Sequence, residues 1–222
     1  MEPSQSRIGS ELGTKMSLFS QLEVEPTHEP LADGAVLMRG LALPQEREFL
    51  TAIDEVTEAA PFRQMVTTGG QVMSIMGTDC GNVRRMEEQY TPVRKYMWPP
   101  MPQVLREFAL RCAVRAGFPH FRPDACHFNR YQAGNKLGLH QDRGEVDFTQ
   151  PIVSLSFGLE CVFLFGGLQR TDKPRHILLE HGDAIVWGGP SRLAFHGVQP
   201  LKPGCHPLVG PYRINLTFRR VS

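Results

Sequence analysis

The sequence predicts a mainly β fold with flanking helices (α+β), in which helices come first and a jelly-roll barrel follows. Three observations support this fold class. From about residue 124 onward, short β-forming runs alternate with Gly, Pro and Asp, a texture typical of sandwiches and barrels rather than of βαβ units. Two helical patterns lie before that point. The chain has 222 residues, 41% of them hydrophobic, which is enough to close one sizeable core.

The first half of the chain supplies one strand and the two helices. The run GAVLMRG is a short apolar strand candidate. In LPQEREFLTAIDEVTEAAP, apolar residues recur at helical spacing and Pro61 closes the segment. In MPQVLREFALRCAVRAGFP they again form one stripe, and Gly117 marks its end. Each helix therefore needs a sheet to cover.

The second half supplies the strands of the predicted barrel. The runs that predict them are DACHFNRY, IVSLSFGL, CVFLFGG, HILLEH, AIVWGG, RLAFHGV and RINLTFRR. We expect a single domain over residues 21–222, with the helices in 21–123 and the jelly-roll core in 124–222. Residues 1–20 are polar and lack periodicity, so they are expected to form a disordered tail.

Composition excludes several classes of protein. The formal net charge is +1, so no global field draws the chain to nucleic acid or membrane, and nucleic-acid contact would need a local basic patch. The five cysteines are scattered and form no Cys-x-x-Cys pair, which argues against a disulfide framework and a structural zinc site. No apolar run has the length of a signal peptide or a membrane span. We expect a cytoplasmic protein.

The stretch LGLHQDRGEVDF contains a candidate metal-binding pair. On a strand, His140 and Asp142 share one face while Gln141 points away. Such a pair is weak evidence by itself, because a hydrogen-bonded surface couple has the same pattern. A third ligand could come from His196, interpreted as the end of an apolar strand, or from His181 at another strand-to-turn junction. Two histidines and a carboxylate suit non-haem Fe(II), although zinc sites use similar ligands.

The last strand, YRINLTFRR, carries a row of polar residues. Its alternation places Arg213, Asn215 and Arg219 on one face and the apolar residues on the other. A solvated face is the ordinary explanation for such a row. Two guanidiniums and an amide could instead hold both ends of a small dicarboxylate. The run HFNRY places Asn129 and Tyr131 together in the same way.

These candidates together resemble one known family. They form the pattern His140-x-Asp142, a distant His196 and Arg213-x-Asn215-x-x-x-Arg219. This pattern is similar to that of the AlkB family of Fe(II)- and 2-oxoglutarate-dependent nucleic-acid dealkylases. The resemblance covers roughly residues 30–220 and includes PFRQMVTTGG, PDACHFNRY, FGGL, ILLEHGDAIVWGG and QPLKPGCHPL. It implies a double-stranded β-helix, the jelly-roll form of this family, with a nucleotide-recognition lid within residues 21–123.

The resemblance implies that His140, Asp142 and His196 are iron ligands, and that Fe(II), 2-oxoglutarate and O₂ are used together. In this family 2-oxoglutarate is decarboxylated to succinate and CO₂ while an N-alkyl carbon is hydroxylated. The resulting hemiaminal loses an aldehyde and restores the base. The implied function is oxidative dealkylation repair of bases in single-stranded or double-stranded DNA, with RNA left open.

The resemblance also implies which residues bind 2-oxoglutarate. Arg213 matches the arginine that pairs with the distal carboxylate, with Tyr131 and Asn215 beside it. Arg219 and Asn129 match the groups around the end that chelates iron. The alternation of the two strands places these residues in rows independently of the family.

Substrate contacts are implied for five further residues. Thr67 and Met73 match positions near the substrate, and Arg170 matches an arginine of the base pocket; the simpler alternatives are a turn residue, core filler and a solvated loop charge. A tryptophan that stacks on the flipped base in the most similar family member corresponds to a position at or near Arg85, with Tyr90 as the nearest aromatic. An arginine can also stack on a base by its flat face.

The sequence departs from the family at Gly144. There the most similar member carries an acidic residue that contacts the exocyclic amine of the base, and Glu145 or Asp147 could replace it only if the loop is shifted. Without that carboxylate, bulkier or cyclic adducts become candidates over 1-methyladenine. A hydroxylase acting on a substrate other than nucleic acid stays open as an alternative. We expect a monomer with no obligate protein partner.

Overall fold

The computed structural model describes residues 27–67, 70–82 and 98–222. The predicted tail lies outside these ranges. No helix among the described residues is long and apolar enough to cross a bilayer. The strands within the described ranges are β1 (His28–Ala32), β2 (Ala35–Met38), β3 (Arg63–Val66), β4 (Val72–Gly81), β5 (Ala125–Tyr131), β6 (Leu137–His140), β7 (Ile152–Gly158), β8 (Cys161–Phe165), β9 (Arg175–Leu179), β10 (Ala184–Trp187), β11 (His196–Val198) and β12 (Arg213–Arg219).

These strands form two antiparallel sheets that face each other. The large sheet has eight described strands in the order β1-β2-β10-β7-β12-β5-β4-β3, and the small sheet has four in the order β6-β11-β8-β9. The predicted mainly β jelly-roll class is confirmed. The predicted barrel is open, because no described hydrogen-bonded ladder joins the two sheets.

The two predicted helices are confirmed as α1 (Glu46–Ala59) and α2 (Gln103–Arg115). Both pack against the outer face of the large sheet. Phe49 of α1 meets Phe108 of α2 with ring centroids 4.8 Å apart, and it also contacts Phe157 of β7. Gly117 follows α2 with a φ of 87°, a left-handed conformation that ends helices and favours glycine. Short 3₁₀ turns lie at Leu43–Gln45 and Gly189–Ser191.

The large sheet therefore separates two cores. Ile214, Leu216 and Phe218 of β12 belong to the apolar cluster under the helices. The second cluster fills the space between the two sheets and includes Tyr131 and Trp187. The polar row of β12 faces this inner space, so the alternation predicted from the sequence separates a packed face from a functional one.

Two features differ from the sequence-based expectation. Strands β3 and β4 lie where only helices and one strand are expected, and β4 pairs with β5 so that Gly77 opposes Asn129. His196 does not end an apolar strand as predicted: β11 begins at His196, and the residues before it form turns. Backbone hydrogen bonds join Phe195 to Gly166 and Gly167, so this segment is held by a loop rather than by a ladder.

Candidate metal centre and cosubstrate cavity

Strand pairing brings the predicted metal ligands together. His140 ends β6, and it lies directly opposite His196 at the start of the antiparallel strand β11. Asp142 follows two residues after His140. Its Oδ1 lies 3.7 Å from His140 Nε2, and its Oδ2 lies 3.5 Å from His196 Nε2. One ligand atom from each residue falls within 4.8 Å of the others, a spacing that one metal ion can bridge.

Both histidines present the same ring nitrogen to the centre of this cluster. His140 Nδ1 lies 2.9 Å from the carbonyl oxygen of Gly138, and His196 Nδ1 lies 3.0 Å from that of Ala194. A carbonyl accepts only, so each Nδ1 carries the hydrogen and each Nε2 keeps its lone pair. Backbone hydrogen bonds of this kind orient metal-binding imidazoles in advance.

The electrostatics of the cluster favour a deprotonated ligand set. Burial alone would raise the pKa of Asp142, but the guanidinium of Arg219, 3.0 Å from Oδ1, and then His196 hold this pKa well below its usual range. Burial, followed by the neighbouring His196, lowers the pKa of His140. A carboxylate and a neutral imidazole are the forms that bind metals.

A second buried carboxylate fixes the arginine that supports Asp142. Glu145 lies 3.1 Å from Arg219 Nη1 and 3.0 Å from Arg192 Nη2. Arg192 also donates to the backbone carbonyls of Asp142 and Gln150 at 3.0 and 2.9 Å. The loop that carries Asp142 is thus held by alternating buried charges.

The metal cluster opens into a cavity lined by every predicted cofactor residue. The cavity wall includes the three candidate ligands, Asn129, Tyr131, Arg213, Asn215 and Arg219. Arg213 is 1% exposed. Its Nη2 donates to Ser156 Oγ at 3.0 Å, whereas its Nε and Nη1 have no hydrogen-bond partner among the described residues. No described carboxylate lies within 4.0 Å of it.

The neighbours of Arg213 are polar and similarly buried. Its guanidinium lies 5.0 Å from the centre of the Tyr131 ring, and burial raises the pKa of Tyr131 to about 12 in spite of that cation. Asn215 donates to Ser154 Oγ at 2.7 Å and to the Leu155 carbonyl at 3.2 Å. The phenol therefore remains a hydrogen-bond donor at neutral pH.

The cavity fits an anion at one end and a metal at the other. A buried guanidinium without a counter-charge costs several kcal/mol unless a ligand compensates it. A carboxylate matches its free nitrogens in geometry and charge. Two neutral imidazoles and a carboxylate at the other end match the ligand set of Fe(II) with open positions. The residues present thus fit iron and 2-oxoglutarate.

The predicted substrate residues lie at separate places. Thr67 belongs to the turn between β3 and β4, where its Oγ1 accepts from the Gln71 N–H at 3.1 Å. Met73 is partly buried against the inner core cluster. Arg170 is exposed, and its guanidinium lies 5.9 Å from the centre of the Phe195 ring. Phe195 directly precedes His196 in the chain. Arg85 and Tyr90 lie outside the described residues.

The two alternatives to an acidic residue at Gly144 lie in different surroundings. Glu145 is not available to a base, because it is buried between two arginines. Asp147 is exposed, and its Oδ1 accepts from the backbone N–H and the hydroxyl of Thr149 at 2.9 and 2.6 Å. Of these two carboxylates, that of Asp147 is the accessible one.

Several residues of the site are not singled out by the sequence patterns. Ser154 and Ser156 alternate in the apolar run IVSLSFG, and that period of two could have indicated that both face the polar row of β12. Trp187, whose ring centre lies 5.0 Å from that of His196, also lines the cavity. No local sequence pattern predicts the pairing of Glu145 with Arg192, because the two residues lie far apart in the chain.

Comparison with known proteins defines the class and then the family. A family model described as the 2OG-Fe(II) oxygenase superfamily matches residues 34–219. The chain is therefore an oxygenase that uses Fe(II), 2-oxoglutarate and O₂. It is 49% identical over 214 residues to the alpha-ketoglutarate-dependent dioxygenase AlkB of Escherichia coli, which covers 93% of this chain and 98% of that protein. The chain belongs to the AlkB family.

Two further relatives extend this comparison. The human nucleic acid dioxygenase ALKBH1 is 38% identical over 106 residues, which are 48% of this chain and 27% of the human protein. The solved structure of OsALKBH1 superimposes with a TM-score of 0.75 at 27% identity, covering 87% of this chain and all of that one. The double-stranded β-helix expected from the resemblance is thus confirmed.

Proposed function

We propose that this oxygenase removes alkyl groups from the nitrogen atoms of DNA bases by oxidative dealkylation, releasing an aldehyde, succinate and CO₂. The observation that carries the proposal is the buried guanidinium of Arg213, which faces the cavity beside the His140, Asp142 and His196 cluster without a carboxylate partner. The resemblance to human ALKBH1, a nucleic acid dioxygenase, supports the substrate class.

The chain's part in the reaction is to bind, orient and exclude water. His140, Asp142 and His196 would hold Fe(II) through two Nε2 atoms and one carboxylate. When bound, the metal with 2-oxoglutarate and O₂ supplies the oxidising power for hydroxylating an N-alkyl carbon. Arg219 holds the Asp142 carboxylate ionised and in place. The surrounding cavity wall keeps bulk water from this centre.

Arg213 would bind the distal carboxylate of 2-oxoglutarate through the N–H groups of its guanidinium that have no partner among the described residues. The Tyr131 phenol and the Asn215 amide lie beside it in the same cavity. Arg219 and Asn129 are assigned to the end that chelates the metal. The cosubstrate would thereby be held at both ends, so its reactive carbons meet the metal in a single orientation.

The substrate would be an alkylated base turned out of its stack. Such a base cannot reach a buried centre from within a duplex, and extrusion costs less where alkylation has already spoiled its pairing. Thr67, Met73, Arg85, Tyr90 and Arg170 are assigned to contacts with it and with the neighbouring phosphates. Single-stranded DNA avoids the cost of unpairing and should be accepted at least as well as duplex DNA.

Gly144 leads to a specific expectation about the base. Because Gly144 carries no carboxylate and Glu145 is buried between two arginines, we propose that etheno and other bulky adducts are favoured over 1-methyladenine. Gly144→Asp should shift the preference towards 1-methyladenine. A clear preference of the wild-type protein for 1-methyladenine over etheno adducts would remove this hypothesis.

We further propose that residues 21–222 act as one domain, in a monomer without an obligate protein partner. The inner core is shared between strands from both ends of the chain, which supports a single folding unit. All five cysteines are unpaired, as expected in a reducing compartment such as the cytoplasm.

The test is aldehyde release from a panel of oligonucleotides that carry 1-methyladenine, 3-methylcytosine or ethenoadenine, in single-stranded DNA, duplex DNA and RNA. Activity should fall steeply with added salt, because phosphate contacts release counterions. His140→Ala should abolish it, whereas His176→Ala, on the exposed edge strand β9, should not. Salt-insensitive turnover of a substrate other than nucleic acid would overturn the assignment.

A further inference from the structure

A chain of polar side chains runs across strands β3, β4 and β5, along the inner face of the large sheet, to the cavity. Arg63 Nη2 lies 3.7 Å from Asp79 Oδ2, and Asp79 Oδ1 lies 2.6 Å from His127 Nδ1. On the other side of the ring, His127 Nε2 lies 3.0 Å from Asn129 Oδ1. Asp79, His127 and Asn129 are all buried. Asn129 alone of these residues lines the cavity.

His127 stands between two hydrogen-bond acceptors. An ionised carboxylate can only accept, and so can the amide oxygen of Asn129. Both contacts are hydrogen bonds only if His127 carries a hydrogen on each ring nitrogen. A ring with one hydrogen would keep it on Nδ1 for Asp79 and would offer a lone pair from Nε2. The amide of Asn129 would then have to turn over and present its NH₂ group to the ring.

The orientation of this amide decides what the cavity offers to an anion. With Oδ1 held by His127, the Nδ2 of Asn129 makes no hydrogen bond among the described residues and is free to donate to a carboxylate. The reversed amide would present an oxygen to the same carboxylate, and two acceptors repel each other.

We propose that Asp79 and His127 are positioning residues, which hold the amide of Asn129 with its NH₂ group towards bound 2-oxoglutarate. The inference rests on the proposed function, in which Asn129 lies near the chelating end of the cosubstrate. It adds support for that contact from residues outside the cavity.

The groups that face His127 come from three neighbouring strands. Asp79 on β4 is its direct partner, and Arg63 on β3 approaches the far oxygen of that carboxylate. On β12 the register partner of His127 is the uncharged Thr217. Arg219, two residues further on, directs its charge to the carboxylates of the metal loop.

Gly77 of β4 leaves the space that the ring occupies. A Cβ built at Gly77 would clash with Met65 Sδ and would lie 3.1 Å from His127 Cε1, closer than side chains normally pack. The bare backbone at this position therefore leaves space for both side chains.

The experiment measures the affinity of the Mn(II)-loaded protein for 2-oxoglutarate by calorimetry. His127→Leu leaves Asn129 Oδ1 without its hydrogen-bond partner on the ring and should lower the affinity about tenfold, the value of one hydrogen bond. In His127→Gln the side-chain NH₂ group can still donate to Asn129, so this variant should bind close to wild type.

Glu46 and His181 provide a matched control. They form another carboxylate and imidazole pair, with 3.1 Å between Oε2 and Nε2, outside the cavity. Glu46→Gln and His181→Gln should leave the affinity unchanged. They also show how much of any effect arises from disturbing a partly buried histidine pair as such.

Nitrogen-15 NMR of histidine-labelled wild-type protein provides a readout that needs neither a variant nor turnover. Nε2 of His127 should carry a hydrogen, because it faces Asn129 Oδ1 at 3.0 Å. A lone pair on Nε2, or binding by His127→Leu equal to that of wild type, would overturn the positioning role while the proposed function stands. Wild-type protein that binds no 2-oxoglutarate would overturn both.

Discussion

Replacing Arg213 by methionine should have opposite effects on cosubstrate binding and on the stability of the ligand-free protein. The substitution removes the hydrogen bond to Ser156, a loss of about 1 kcal/mol. It also removes a buried guanidinium that has no described counter-charge, whose desolvation costs several kcal/mol. The free energy of unfolding without ligand should therefore stay the same or rise. Binding of 2-oxoglutarate should lose about 3 kcal/mol, roughly a hundredfold in Kd.

The assay combines urea unfolding with calorimetric titration of the Mn(II)-loaded protein. Cosubstrate should stabilise the wild-type protein against unfolding and leave Arg213→Met almost unaffected, because a ligand stabilises a folded protein only if that protein binds it. Arg39→Met is the control: it leaves the buried carboxylate of Asp183 without its 2.9 Å partner, so it should lower stability without changing cosubstrate affinity. An Arg213→Met protein that is strongly destabilised and still binds 2-oxoglutarate normally would show that this guanidinium does not bind the cosubstrate carboxylate.

Three further predictions concern other groups. Glu145→Gln should lower the free energy of unfolding by about 3 kcal/mol, because the buried guanidinium of Arg192 loses its counter-charge. Glu29→Gln in an exposed pair should change it by less than about 1 kcal/mol in the same urea assay. Burial raises the pKa of Tyr131 to about 12. The unfolded chain therefore loses the phenol proton first, and stability falls as pH rises from the ordinary pKa of 10.0 towards 12. Tyr131→Phe should remove one phenol that ionises at high pH from the alkaline absorbance titration. The pKa of Asp142 is lowered in the folded protein, so the ionised carboxylate stabilises the fold at pH values above the ordinary pKa of 3.8. This stability is lost as pH falls through the pKa of the folded state, and Asp142→Asn should flatten the acid dependence in unfolding measurements.

The polar rows of the site could be predicted from local sequence because strand geometry is local. A period of two places Arg213 and Asn215 on one face of β12 wherever that strand lies in the sheet. The same period placed Asn129 with Tyr131, and both pairs line the cavity as expected. The choice between His196 and His181 was different. Both lie at strand-to-turn junctions, and only the pairing of β11 with β6 brings one of them opposite His140.

The contacts that support the site could not be predicted, because they join distant parts of the chain. Glu145 reads as a loop carboxylate in the sequence, yet it lies between Arg192 and Arg219. Asp79 and His127 meet because β4 pairs with β5. No helical or alternating pattern in the sequence predicts β4. Side-chain periodicity shows which face a residue occupies, whereas the register between strands decides what it meets.

The central claim is that one cavity couples 2-oxoglutarate turnover to dealkylation. The most direct measurement is the stoichiometry of succinate and formaldehyde formed from a methylated oligonucleotide with Fe(II) and O₂. One formaldehyde per succinate is expected, with both products lost in His140→Ala. Formaldehyde without succinate, or succinate that does not depend on Fe(II), would contradict the account.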